Sequence, residues 1–307
     1  MKRTLILLIA ITCGNQLLAQ SINYEITRDE PENHGNHHVH LSLLDLSGGD
    51  GNFSANIGLW GGYKIINNLV YADVDLRRSI VVFNILNDKT LADFNIGGSY
   101  MLLNTNKKRD RKFILKSSKS TVNTSRNGSV SVTKETYITI PYRKQRGYGI
   151  RGGLAYRTSG GDQKLDDGTV SGLGRVIYKN TQAGIYAGAV IRTRKNTVVK
   201  TDQYGYSENI KTVELFADIL LLPISNNSEF NYSRNNDYYD FDNDFIKENE
   251  ASAGVLGFRI GGKIHTEVGK DDISGKKLPA ASKLEVGFRP YHGFYFNFGL
   301  GLTIVRG

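Results

Sequence analysis

From about Phe53 onward, apolar and polar residues alternate with a period of two. That pattern belongs to strands whose two faces meet different surroundings. The last segment is the clearest. Phe294, Phe296, Phe298, Leu300, Leu302 and Ile304 share one face, and Tyr295, Asn297, Gly299, Gly301 and Thr303 share the other. Before it, Leu284, Val286 and Phe288 alternate with Lys283, Glu285, Gly287 and Arg289. The register passes unbroken through Gly261-Gly262, so 254–268 reads as one long strand. Similar alternation marks 148–158, 183–195 and 210–222. Further strands are expected near 53–65, 69–77, 79–86, 92–103, 111–117, 130–142 and 170–179, with 39–46 as one more candidate.

A strand of about 9–11 residues crosses a bilayer when tilted, and its apolar residues need occupy only one face. The pattern therefore predicts an all-β fold, an antiparallel transmembrane β-barrel of about 12–14 strands. A soluble sandwich also alternates. Two features favour the membrane: glycines recur on the polar face, and Tyr63, Tyr100, Tyr142, Tyr148, Tyr178 and Tyr291 stand near strand ends, where a headgroup girdle would place them.

Residues 1–19 read as a signal peptide, with Lys2 and Arg3 at its start, an apolar stretch Leu5–Ile11 and small Ala19 before the cut. Lipoprotein processing at Cys13 is the alternative, against the poor approach sequence Ala10-Ile11-Thr12. Residues 20–52 form an N-terminal polar segment, possibly holding a first strand, and 53–307 the barrel. Cleavage removes the only cysteine and, with Lys2 and Arg3, lowers the formal net charge from +9 to +7. An apolar content of 39% is low for 307 residues; helical spans, coiled coils and collagen are all excluded by the pattern.

The chain resembles Gram-negative outer-membrane β-barrel proteins. The terminal stretch Asn297-Phe298-Gly299-Leu300-Gly301-Leu302-Thr303-Ile304 is similar to their C-terminal assembly signal, although the usual final aromatic is replaced by Val305-Arg306-Gly307. Leu18-Ala19-Gln20 and the Asn/Tyr-rich loops resemble proteins of the Bacteroidota. The resemblance implies an outer-membrane location, contact with its lipid and lipopolysaccharide, and recognition by the outer-membrane insertion machinery.

Four segments carry candidate chemistry. Asp240, Asp242 and Asp244 have the alternate oxygens of a calcium loop, without its glycine or its final bidentate glutamate. His34, His37, His38 and His40 concentrate four of the six histidines and offer nitrogen ligands to zinc or copper. Lys107, Lys108, Arg109, Arg111 and Lys112 face one acid, Asp110. Lipid phosphates suit that stretch better than nucleic acid, which an exported protein does not meet. Arg151, Arg157, Arg192, Arg194, Glu214, Asp218, Arg259, Lys263, Glu285 and Arg289 lie on the polar faces and are expected in the lumen, with Asp73 and Asp75. They either pair into a plug or line a pore that favours anions.

No G-x-S-x-G elbow, Walker loop or dinucleotide fingerprint occurs, and no cofactor is implied. The expected function is a non-enzymatic outer-membrane barrel, a structural or accessory subunit of an envelope or secretion assembly. A small porin-like channel is the alternative, and a barrel hydrolase the second. Assigning sides by counting strands back from the C-terminus leaves an inversion: a short turn at 179–181 falls outside, while longer connections at 159–168 and 196–209 fall inside. A miscounted strand or large periplasmic connections would produce it.

Overall fold

The computed structural model describes residues 22–33, 35, 37–49, 52–83, 91–124, 128–165, 174–234, 237–239, 254–267, 279–290 and 293–306. Residues 1–19 lie outside them, as do the proposed cleavage site and Cys13. The strands are β1 (Tyr24–Asp29), β2 (His37–Gly49), β3 (Asn52–Ile66), β4 (Val70–Phe83), β5 (Ala92–Thr124), β6 (Gly128–Leu165), β7 (Gly174–Thr201), β8 (Gly205–Arg234), β9 (Asp237–Tyr239), β10 (Leu256–Glu267), β11 (Ala280–Arg289) and β12 (Gly293–Arg306). All pairings are antiparallel.

The fold is a closed β-barrel. Ten strands close it in the order β2-β3-β4-β5-β6-β7-β8-β10-β11-β12, and β12 pairs back onto β2. The two remaining strands, β1 and β9, pair outside this ring. The barrel begins at His37, sixteen positions before the boundary read from the pattern, because 37–49 supplies the strand that closes the seam.

Several expected strands merge. Segments 69–77 and 79–86 are one strand, β4; 92–103 and 111–117 both belong to β5; 130–142 and 148–158 to β6; 170–179 and 183–195 to β7. The reason is length. Strands β5 to β8 run 33, 38, 28 and 30 residues, far more than a crossing needs, and continue past the barrel as paired ribbons. Breaks in alternation along a ribbon then look like turns. The merger removes the short turn at 179–181, since 159–165 pairs with 174–180 at a single rim, while the 196–209 connection stays on the rim of the termini as paired ribbon. Part of the expected 225–250 loop is also ribbon, Ser225 to Ser233 pairing with β7.

The outward face of every barrel strand is mainly apolar, with Arg78 of β4, beside Ile57, an exposed exception. Leu44, Ile57, Leu76, Ile96, Ile150, Ile185, Ile219, Ile260, Leu284 and Phe296, one per strand around the ring, are all exposed. Monomers that live in water rarely expose a contiguous apolar patch larger than a few hundred Å². Tyr63, Tyr100 and Tyr148 are exposed on the same surface. Tyr142 is not; it is buried, because it lies on the ribbon beyond the barrel. Tyr178 and Tyr291 have no described side chains.

At the rim where β2 starts and β12 ends, the ribbons build a second, smaller core. β6 leaves β7 after Gln145, and β1 takes the vacated edge, pairing Tyr24 with Thr201 and Asp29 with Thr197. The Arg143 backbone N–H donates to both carboxylate oxygens of Asp29 at 2.8 and 2.9 Å. Arg143 also pairs with Glu32 at 3.1 Å. Beneath this latch, Phe113, Ile140 and Val199 are buried, with Ile26 and Ile138 packed against them. The ribbons are thus a packed unit rather than loose loops.

Candidate functional site in the barrel interior

Because successive side chains alternate, a ring of ten strands points half of its residues inward. These are overwhelmingly polar. All ten residues expected in the lumen are there and buried, together with Asp75 and the slightly more open Asp73. Arg77, Asp45, Asp93 and Lys283 complete the set of charges among the described residues.

The charges meet across the barrel. Asp93 is approached by three guanidiniums, Arg289 at 3.2 Å, Arg157 at 3.6 Å and Arg77 at 3.9 Å. Arg77 also bonds Asp45 at 2.9 Å, and Asn56 donates to the same carboxylate at 3.0 Å. Arg259 donates to Asp218 at 2.7 Å and to Asn95, on the facing wall, at 2.8 Å. Glu285 accepts from Tyr295 at 3.0 Å and Asn297 at 3.1 Å. Lys283 pairs with Asp75, and Lys263 stands 4.0 Å from it. Towards the rim with the latch, Arg192 bonds Glu214 and lies 3.8 Å from Asp73, while Arg151 bridges Glu214 and Asp218 at 3.5 and 3.4 Å.

Aromatic rings fill what the ion pairs leave. Arg192 lies over Tyr71 at 3.9 Å, Arg151 over Phe216 at 4.2 Å, Arg259 over Tyr186 at 4.3 Å and Arg289 over Tyr295 at 4.7 Å. Such stacking offsets part of the cost of taking a guanidinium out of water. The inward glycines have a purpose here. A Cβ at Gly97 would collide with Tyr186 Oη and the Gly152 carbonyl, and one at Gly287 would sit 2.9 Å from the Tyr295 ring.

The four-histidine cluster is divided. His37 faces outward and stacks on Tyr63 with centroids 6.4 Å apart. His38 and His40, two residues apart, turn inward and meet His265 of β10, at centroid distances of 4.4 Å from His38 and 5.0 Å from His40. His34 lies outside the described residues, as do Asp240, Asp242 and Asp244. Sequence spacing could not have joined His265 to the others, because only barrel closure brings β2 and β10 to one side.

Lys107, Lys108, Arg109, Arg111 and Lys112 sit on the β5 ribbon, past Tyr100, where β4 stops pairing. A strand rises about 3.4 Å per residue, so Arg111 lies on the order of 35 Å along the chain from Tyr100. The ribbon gathers more cations. Burial first, and then the nearby Arg111, Lys144 and Lys211, push the Lys195 amine down to about 8. Burial and the neighbouring arginines, Arg146 first, lower Lys144 as well.

Compared with known proteins, the chain matches no family, and no characterised protein aligns with it.

Proposed function

We propose that the protein is a non-enzymatic integral outer-membrane β-barrel, acting as a structural or accessory subunit of an envelope assembly rather than as a channel. The observation that carries this reading is the pairing of a mainly apolar exterior with an interior crossed by ion pairs. The exterior suits hydrocarbon. Inside, Asp93 and Arg289 stand on opposite walls and are bonded to each other, so charges span the lumen at that level as a plug requires.

The two barrel ends β2 and β12 share a rim, which in such barrels is the periplasmic one. On that assignment the basic β5–β6 ribbon extends into the periplasm. Lys107 and Lys108 are near enough to the barrel to meet lipid phosphates, and the cations further along reach a partner instead. An acidic envelope protein or polymer fits that chemistry.

The test is reconstitution of protein whose folded band shifts on boiling in SDS gels. Silence in planar bilayers, with a stoichiometric partner recovered after mild detergent extraction, is the expected result. Discrete anion-selective steps would replace this reading by the channel, and purification from the soluble fraction without detergent would remove the membrane claim.

A further inference from the structure

We infer that His38, His40 and His265 form a binding site for a borderline divalent transition metal, zinc or copper, at the latch-side mouth of the barrel. Each residue offers one ring nitrogen, and the three ligand atoms lie within 4.8 Å of one another. A tetrahedral zinc ion, with nitrogens at about 2.0–2.1 Å, holds them about 3.4 Å apart. Rotation of the rings about their side-chain bonds closes that gap without moving a strand.

The backbone makes the convergence possible. His38 and His40 share the inward face of β2 because they are two residues apart. His265 pairs with Ala281, Ala281 with Gly301, and Gly301 with Ser42, so β11 and β12 stand between the two ligand strands. At that level the intervening strands present only an alanine methyl and a glycine. The space that larger residues would fill is left for imidazoles reaching toward each other. His40 is also held from behind: its Nδ1 lies 2.9 Å from Thr303 Oγ1, an arrangement that orients a metal-binding ring and leaves Nε2 for the ion. Trp60 lies against His40, with ring centroids 4.1 Å apart and planes tilted by 40°.

The chemistry selects the class of ion. Three neutral nitrogens suit zinc, copper or nickel, whereas calcium and magnesium require oxygen donors. Arg192, Arg194 and Lys263 outnumber Asp73 and Glu214 in the same pocket, so a general attraction for cations is not what would hold the metal. Three protein ligands leave a position for water in the pocket, which Gly61 and Thr212 also line.

The test is titration of the tag-free, detergent-folded full chain with Zn2+ or Cu2+, followed by calorimetry and, for copper, by electron paramagnetic resonance. One ion per chain with a three-nitrogen copper spectrum is expected, and no heat with Ca2+ or Mg2+. H265A and the more conservative His265→Gln should lose more than the roughly 10–100-fold that removal of an outer-shell partner costs, and Thr303→Val should fall in that range. A double His34→Ala, His37→Ala variant should bind as the wild type does. Folding of each variant is verified by its heat-shifted gel band. Absence of zinc and copper binding to the wild type would overturn the inference. So would binding that survives in folded His265→Gln and disappears in the His34, His37 variant, because that places the metal on the sequence-local cluster.

Discussion

Arg289 on β11 and Asp93 on β5 are five strands apart whichever way the barrel is traversed, yet their side chains meet at 3.2 Å. The contact is a diameter drawn in hydrogen bonds. Arg157 approaches the same carboxylate at 3.6 Å, and Arg77, bonded more closely to Asp45, stands 3.9 Å from it, so Asp93 is shared by three guanidiniums.

Asp93→Ala should therefore cost about 3–5 kcal/mol, the usual penalty for leaving buried charges uncompensated. Chemical unfolding of the barrel in lipid vesicles measures it. A double variant with Arg289→Ala should lose clearly less than the sum of the two single changes, because the residues share one network.

Leu300→Arg, near the middle of the outward apolar row of β12, should destabilise the vesicle-inserted barrel by roughly 2–4 kcal/mol, and Ile304→Arg, at its end, by about 0–1. Equal costs at the two depths would show that no hydrocarbon layer surrounds the barrel.

Gly97→Ala should destabilise by about 1–3 kcal/mol, since the added methyl has to displace Tyr186 or the Gly152 backbone. Pairing it with Tyr186→Phe removes the hydroxyl that it meets and should recover part of the loss. The comparison of unfolding midpoints decides it.

Lys195 gives a pH signature outside the barrel. Its amine titrates near 8 in the folded protein, below the ordinary 10.5 of an unfolded chain. The unfolded chain thus binds more protons between those values, and stability of the ribbon rises with pH across that window. The cost of the charged amine is present in full below about pH 8 and is relieved as the pH rises towards 10.5. Lys195 should be acylated with a midpoint near pH 8, well before the exposed lysines, as peptide mapping would show.

The barrel was legible in the chain because a half-apolar strand writes its two faces at alternate positions; Phe294 to Ile304 needs no partner to be read. The lumen residues followed from the same alternation. What was not legible depends on closure or on strand length. His265 acquires its neighbours only when β10, β11, β12 and β2 stand in order. Asp93 and Arg289 are 196 residues apart along the chain. The ribbons misled in the other direction: past the barrel both faces of β5 and β6 are polar around 104–112 and 143–146, so the period-two signal fades although pairing continues. Tyr142 was misplaced for that reason, reading as a girdle residue when it is buried on the ribbon with Arg111 and Lys195 over its ring.

The seam has a consequence for timing. β2 is the first strand of the ring and β12 the last, and they are joined to each other from Gly49 with Tyr295 to His38 with Arg306. No ribosome-bound or half-secreted intermediate can have both partners, so the ring cannot shut until the whole chain has been delivered. Until then β2 and β12 are open edges of the kind that invite pairing with another chain. Contacts this distant in sequence also form slowly. On the proposed outer-membrane reading those edges have to be covered in transit, and the rate of maturation should be set by the last strand to arrive.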